Sequence, residues 1–217
     1  MSDGTVFVID DDKEMRDSMV WLLDTVGLPV SAYGSPAEFR MSGRLGEAGC
    51  LVLDVRMPGQ SGLEFYEELL REGHRIPVIF ITAHADVPTA VQAMKTGAIE
   101  FLEKPFDRRT LLERIFKALE LDKAWRERLA EQDEMDKLIA QLSPRERDTL
   151  ELIIAGESNK VMAKKLDITE RAVEMRRANI MKKLGVGSLA EMLDRVITHR
   201  VLAELRVAAS HRPFLAD

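Results

Sequence analysis

The chain has 217 residues, of which 46% are hydrophobic and 31% charged, so it carries enough apolar material for one large or two small globular domains. No apolar run approaches the roughly 18 residues of a membrane span, which argues against a membrane protein. The N-terminal residues lack a basic segment followed by an apolar stretch, and the single cysteine excludes a disulfide framework and a cysteine-based zinc cage. These features favour a cytoplasmic protein.

The net charge of -6 is distributed unevenly along the chain. Residues 1–142 carry 17 basic and 26 acidic side chains, whereas residues 143–207 carry 13 basic and 10 acidic ones. Within 160–183 there are eight basic residues and three acidic ones. This asymmetry favours nucleic-acid binding by the second half, although a basic helix face exposed only to solvent would give the same counts.

Short apolar runs alternate with amphipathic helical patterns through the first half of the chain. The helical stripes end at glycines such as Gly27, Gly73 and Gly97, which are typical helix C-terminal residues. A (βα) unit repeated five times predicts an α/β domain of flavodoxin-like type, with a doubly wound parallel sheet. The predicted strands are 5–9, 29–33, 50–53, 78–81 and 98–102.

Four of these strands are followed by a residue with a distinct chemistry: Asp10 with Asp11, then Asp54, Thr82 and Lys104. In open α/β sheets, sites lie at the carboxyl ends of the strands. Three adjacent carboxylates repel one another unless a cation such as Mg²⁺ is present, and a lysine with a hydroxyl suits the oxygens of a phosphoryl group. Each residue alone is better explained as a helix cap, a turn residue or the end of a strand, but the combination predicts phosphoryl transfer.

Residues 5–120 resemble the receiver domain of response regulators, of the CheY type. The resemblance lies in residues 8–12 (Val-Ile-Asp-Asp-Asp) with Met15-Arg16, in 53–59 (Leu-Asp-Val-Arg-Met-Pro-Gly) with Gly62, in 81–84 (Ile-Thr-Ala-His) and in 103–106 (Glu-Lys-Pro-Phe). It implies a phosphorylatable aspartate, a Mg²⁺ cofactor and a sensor histidine kinase as partner.

The same resemblance implies a role for each matching residue. Asp54 would accept the phosphoryl group, and Mg²⁺ would be held by Asp11, by Asp54 and by the backbone carbonyl of Arg56, with Asp10 holding a ligand water. Lys104 would pair with the phosphoryl oxygens. Thr82 and Phe101 would form the switch that responds to phosphorylation. Asp12 is not expected to be a ligand.

Residues 121–141 contain no glycine or proline and carry an apolar stripe, so they are predicted to form a helical linker, with a coiled-coil dimer contact as an alternative. Ser143, Pro144 and Glu146 then form the start of a helix with a capping box. Further helices are predicted from Ser158, from Thr169 and from Ser188, so the second domain is an all-α helix-turn-helix domain. The tail 208–217 is expected to be disordered.

Residues 142–199 resemble the DNA-binding domain of the LuxR/FixJ type, which implies that the third helix of this half enters the major groove. The matches are 142–146 (Leu-Ser-Pro-Arg-Glu), 156–160 (Gly-Glu-Ser-Asn-Lys), 172–174 (Ala-Val-Glu) and 182–185 (Lys-Lys-Leu-Gly). Ala172 stands where threonine is common in that family, and Asp167 where glycine is common. The candidate DNA contacts are Lys160, Lys164, Lys165, Arg171, Met175, Arg176, Asn179, Lys182 and Lys183.

These observations predict a two-component transcription regulator with a receiver domain at 1–120, a linker at 121–141 and a DNA-binding domain at 142–207. Phosphorylation of Asp54 is expected to control homodimerisation, release of the DNA-binding domain, or both, with promoter DNA and RNA polymerase as further partners. One alternative is an aspartate-based phosphatase, because residues 10–12 formally give Asp-x-Asp after a strand. Another is a DNA-binding protein independent of phosphorylation, which the complete set of receiver residues disfavours.

Overall fold

The computed structural model describes residues 4–210, with side chains as far as Glu204. The chain divides into two compact units, Met1–Glu127 and Arg128–Asp217. Within the described residues, no helix combines the length and the apolar character needed to cross a membrane.

The first unit contains a five-stranded parallel sheet with the strand order β2-β1-β3-β4-β5. This order confirms the predicted flavodoxin-like fold and places β3 at the centre of the sheet. The strands are β1 (Thr5–Ile9), β2 (Val30–Tyr33), β3 (Gly49–Asp54), β4 (Val78–Thr82) and β5 (Glu100–Glu103). The helices are α1 (Lys13–Thr25), α2 (Pro36–Met41), α3 (Gly62–Arg71), α4 (Val87–Lys95) and α5 (Arg108–Ala140).

Both faces of this sheet are buried, which explains why its central strands are almost continuously apolar. Phe7 and Leu51 point to one side, where they pack with residues of α2, α3 and α4. Val8 and Val52 point to the other side, against α1 and α5. Cys50, in β3, is fully buried on this second side, and burial raises the pKa of its thiol above the ordinary value.

The second unit is helical and has its own core around the inner face of α8. Val173 and Ile180 are fully buried there, and the end of α5 contributes Met135 to the same core. The turn between α7 and α8 is made by Asp167, whose φ of 51° is left-handed, a conformation that aspartate tolerates better than most residues. The helices after α5 are α6 (Pro144–Ile154), α7 (Asn159–Leu166), α8 (Glu170–Lys183) and α9 (Leu189–Ser210).

Helix α5 includes residues 121–140, so the predicted linker is helical and extends the last helix of the first domain. Two other features go beyond the sequence prediction. Helix α2, capped by Ser35, was implied by the repeat but not located. Helix α9 continues to Ser210, so the first three residues of the tail that was expected to be disordered are helical, while 211–217 lie outside the described residues.

Candidate functional sites: an acidic strand edge and a basic helix

Three carboxylates meet at the carboxyl edge of the sheet. Asp10 follows β1 and Asp54 ends the adjacent strand β3, so strand pairing brings them together with Asp11. Each of the three has an oxygen within 4.8 Å of those of the other two. Asp10 is fully buried and Asp54 nearly so, whereas Asp11 is exposed. All the possible ligand atoms of this cluster are carboxylate oxygens, and the cluster is exposed to solvent at Asp11. Oxygen atoms are the ligands that a hard divalent cation requires.

Lys104 lies between the two buried carboxylates. Its Nζ donates to Asp10 Oδ2 at 2.7 Å and to Asp54 Oδ2 at 3.0 Å, and its backbone N–H donates to the Thr82 carbonyl at 2.8 Å. Burial by itself lowers the pKa of the Lys104 ammonium, but the hydrogen bonds with Asp10 and Asp54 outweigh burial and raise it. Burial raises the pKa of Asp10, and the bond from Lys104 opposes that rise. Lys104 therefore stays protonated and offsets part of the negative charge.

The loop between β1 and α1 is held by several hydrogen bonds. Asp12 caps α1 by accepting from the backbone N–H groups of Glu14 and Met15, and its own N–H donates to Asp10 Oδ1 at 2.9 Å. Asp12 therefore acts as the N-cap of α1. Arg16 donates to the backbone carbonyls of Asp10 and Asp11. Arg16 is not among the predicted site residues, although it belongs to the first segment that matches the receiver family.

Two features of the loop after β3 concern Asp54. The backbone N–H of Arg56 donates to Asp54 Oδ1 at 3.2 Å. A Cβ atom added at Gly62 would lie 2.1 Å from the Asp54 carbonyl oxygen, so only glycine allows the start of α3 to approach this strand end.

Thr82 lies on β4, the strand next to that of Asp54, and Phe101 lies on β5, which pairs with the other side of β4. The Thr82 hydroxyl is buried and makes two 3.3 Å hydrogen bonds with the backbone of His84, one as donor and one as acceptor. Phe101 is half-buried and packs on the core that faces α3 and α4. Any movement of the Thr82 hydroxyl toward Asp54 must therefore break its bonds with His84.

The second unit presents a basic face on α8. Four of the predicted DNA contacts follow one another at helical spacing and are exposed: Arg171, Met175, Asn179 and Lys182. Lys160 and Lys164 are also exposed, and Arg176 is half-buried. Among the described residues, none of these seven side chains has a hydrogen bond or ion pair. They are therefore available to a ligand outside the unit.

Lys165 and Lys183 differ from the other predicted contacts because each already has an acidic partner. Lys165 Nζ lies 2.5 Å from Glu157 Oε1. Lys183 Nζ donates to Glu146 Oε2 at 2.6 Å and to the Gln141 carbonyl at 3.2 Å. The contacts of the half-buried Lys183 thus link α8 to the start of α6.

The partner of Lys183 also completes the capping box that the sequence predicted. Glu146 accepts from the backbone N–H of Ser143 at 2.8 Å, while the Ser143 hydroxyl accepts from the N–H of Glu146. Hydrogen bonding to Lys183, followed by that to Ser143, lowers the pKa of Glu146 to about 2 from an ordinary value of 4.5. The charged form of Glu146 is therefore part of the folded structure.

Replacing Glu146 by glutamine should lower the free energy of unfolding of this unit by about 1–2 kcal/mol at neutral pH, because the ion pair with Lys183 is lost. Since the folded pKa lies below the unfolded one, the carboxylate stabilises fully above pH 4.5, and this contribution disappears as the pH falls toward 2. Denaturant unfolding of the wild-type protein and of Glu146→Gln should therefore give free energies of unfolding whose difference becomes smaller as the pH is lowered. Glu174→Gln, at an exposed position on α8, is the control and should change little; a pH-independent difference for Glu146→Gln would contradict the assignment.

Comparison with known proteins gives matches to both halves. Residues 6–116 match the family model of the response regulator receiver domain, and residues 140–196 match that of the bacterial regulatory proteins of the luxR family. Nodulation protein W of Bradyrhizobium diazoefficiens is 41% identical over 206 residues, which cover 95% of this chain and 88% of that protein.

Two further relatives span both halves as well. The transcriptional regulatory protein FixJ of Azorhizobium caulinodans is 44% identical over 188 residues, which cover 87% of this chain and 89% of that protein. The solved structure of the response regulator StyR has a TM-score of 0.83 at 43% identity, covering 90% of this chain and 99% of that one.

Proposed function

Because this chain belongs to the response regulators that join a receiver domain to a LuxR-type DNA-binding domain, we propose that phosphorylation of Asp54 switches its dimerisation and its binding to promoter DNA. Members of this family serve two-component systems and regulate transcription, so the chain is a regulator and not a classical enzyme. The observation that carries the proposal is the convergence of Asp10, Asp11, Asp54 and Lys104 at one edge of the sheet.

The two compact units support separate functions for the two parts of the chain. We assign phosphorylation to a receiver domain at 1–120 and DNA binding to residues 142–207, joined by the helical segment 121–141. The aspartate-based phosphatase is disfavoured, because the second aspartate of its Asp-x-Asp would be Asp12, and that carboxylate caps α1.

Asp54 is the proposed acceptor because it ends the central strand. Its carboxylate has Asp10 and Asp11 on one side and the strand of Thr82 on the other. In the transfer, an Asp54 oxygen attacks the phosphorus of a phosphohistidine on the sensor histidine kinase. The phosphorus–nitrogen bond breaks, the histidine leaves with the bonding electron pair, and an acyl phosphate remains on Asp54.

Receiver domains bind Mg²⁺ at this acidic pocket, and the oxygen donors present here fit that ion. Asp11, Asp54 and the Arg56 carbonyl would hold it directly, with Asp10 holding a ligand water. The ion would offset the negative charge of the phosphoryl oxygens. Lys104 supplies a second positive charge from a fixed position, which favours the transferring phosphoryl group without further reorganisation.

In this proposal, phosphorylation of Asp54 changes the conformation of the loop before α4. A phosphoryl group adds about 1.5 to 2 negative charges and new hydrogen-bond acceptors. The Thr82 hydroxyl can donate to it once its bonds with His84 break, and Phe101 is the neighbouring aromatic that moves with it. Helix α4 begins three residues after His84, so a change in this loop reaches α4 directly.

The face formed by residues 86–105 is the proposed dimer contact. On α4, Val87, Val91 and Met94 lie on one side of the helix and are 77%, 48% and 51% exposed. An apolar stripe of this kind gains stability when a second copy covers it. The dimer would place two α8 helices on half-sites about one helical turn of DNA apart. RNA polymerase is a further proposed partner at the promoter.

Sedimentation of the full chain tests this proposal. We expect a monomer without a phosphodonor, a dimer with Mg²⁺ and a small phosphodonor, and a parallel rise in affinity for promoter DNA. Val91→Asp should accept phosphate but stay monomeric and bind DNA weakly, because a carboxylate replaces an apolar contact. Met41→Asp is the matched control, since Met41 is 81% exposed on α2, outside the proposed face.

A tight dimer in the absence of phosphate would contradict control by dimerisation. The switch would then act by releasing the DNA-binding domain, and deletion of residues 1–120 would raise DNA binding instead of lowering it.

A further inference from the structure

Arg16 is tied to the main chain at the point that carries two of the three carboxylates. Its Nη1 donates to the backbone carbonyl of Asp10 at 2.6 Å and to that of Asp11 at 3.0 Å. A single Nη1 atom carries two hydrogens, so it can serve both carbonyls at once. The two bonds fix successive peptide groups. The side chain of Asp11 leaves the backbone between these groups, and that of Asp10 leaves it just before the first.

The guanidinium of Arg16 lies close to the backbone that follows β2. It lies beside Gly34, where an added Cβ would be 3.6 Å from Nη1 and 3.7 Å from Cζ. Gly34 follows β2, whose Tyr33 carbonyl accepts from the backbone N–H of Asp10 at 3.1 Å. Arg16 thus lies between the loop after β1 and the end of the neighbouring strand.

These bonds complement those on the other side of the same loop. Asp12 N–H donates to Asp10 Oδ1, and Lys104 donates to Asp10 Oδ2, so both oxygens of the Asp10 carboxylate are engaged. Asp11 has no comparable restraint, because its side chain is exposed and makes no hydrogen bond with the described residues. The bond from Arg16 to the Asp11 carbonyl restrains the backbone from which this carboxylate projects.

We propose that Arg16 is a positioning residue, which sets the backbone of Asp10 and Asp11 so that their carboxylates are arranged for Mg²⁺ before the ion arrives. This inference rests on the proposed function and deepens it, because it names a residue outside the ligand set. Residues that orient metal ligands typically contribute about 10- to 100-fold to metal affinity. Arg16 does so through backbone carbonyls instead of through the carboxylates themselves.

Titration calorimetry of the full-length protein with Mg²⁺ alone, without a phosphodonor, tests the proposal. Arg16→Ala should raise the dissociation constant about tenfold, and Arg16→Lys should recover part of the loss because an ammonium can still donate to carbonyls. Lys13→Ala is the matched control. It removes one positive charge from the first turn of the same helix, where Lys13 forms an exposed ion pair with Asp17, and it should change affinity less than twofold.

A second measurement separates positioning from folding. With a small phosphodonor, Arg16→Ala should raise the Mg²⁺ concentration that gives half-maximal phosphorylation, while the rate at saturating Mg²⁺ stays within about threefold of wild type. Equal Mg²⁺ affinity for Arg16→Ala and Lys13→Ala, or a rate loss that saturating Mg²⁺ does not restore, would overturn the proposal. Failure of the wild-type chain to bind Mg²⁺ would instead overturn the proposed function.

Discussion

Replacing Asp54 by asparagine should abolish covalent phosphorylation of this chain. With Mg²⁺ and a small phosphodonor, the wild-type protein should gain one phosphoryl group, whereas Asp54→Asn should gain none. The amide oxygen of asparagine is a far weaker nucleophile than a carboxylate and cannot form a stable acyl phosphate. The substitution also removes the charge that Lys104 contacts at 3.0 Å. The mass of the intact protein gives the stoichiometry directly.

Asp12→Asn is the matched control for this experiment. Asparagine caps helices as well as aspartate does, so the variant should keep α1 intact and accept phosphate normally. Lys104→Ala should still fold but transfer the phosphoryl group about 10²- to 10³-fold more slowly, because a fixed charge beside the phosphoryl oxygens is lost. A phosphoryl group retained in Asp54→Asn would show that another residue is the acceptor.

Replacing Asn179 by alanine should have the largest sequence-dependent effect on DNA binding. Asn179 is exposed on the basic face of α8, and its amide can pair with an adenine edge through two hydrogen bonds. Loss of such a pair should weaken binding to the cognate site by about 10- to 100-fold and leave binding to random DNA nearly unchanged. Fluorescence anisotropy with both duplexes, at one fixed salt concentration, measures the two losses.

Lys182 and Lys183 provide the controls. Lys182→Ala should weaken binding to both duplexes alike and reduce the salt dependence of binding, because the exposed ammonium of Lys182 is suited to contact a phosphate. Lys183→Ala should chiefly lower the free energy of unfolding, because its ammonium is bonded to Glu146. Equal losses on cognate and random DNA for Asn179→Ala would remove this residue from base recognition.

The strand-edge residues could be located from the sequence because one rule of parallel sheets applies to all of them. Asp54, Thr82 and Lys104 each follow an apolar run, and parallel strands bring their carboxyl ends to one edge. The strand order of the structure confirms the predicted parallel sheet. Helix α2 was not located because Pro36–Met41 is only six residues long, too short for an amphipathic period to stand out.

The contacts of Lys183 and Arg16 could not be predicted from local patterns. Position 183 is three residues from the buried Ile180, at the border of the inner face, and its partner Glu146 is 37 residues away along the chain. Among the described residues, the Arg16 side chain bonds to backbone carbonyls, which every residue possesses, so no residue type in the sequence marks its partners. In both cases tertiary packing decides what the charge contacts.

The burial of Cys50 has a practical consequence for spectroscopy. Its thiol is fully buried in β3 and its pKa is raised, so little reactive thiolate is exposed in the folded chain. A cysteine introduced on a solvent-facing helix can therefore be labelled selectively with a maleimide dye or a spin label while the native residue is left in place. Chain movements can then be followed by energy transfer or electron resonance without altering the core of the sheet.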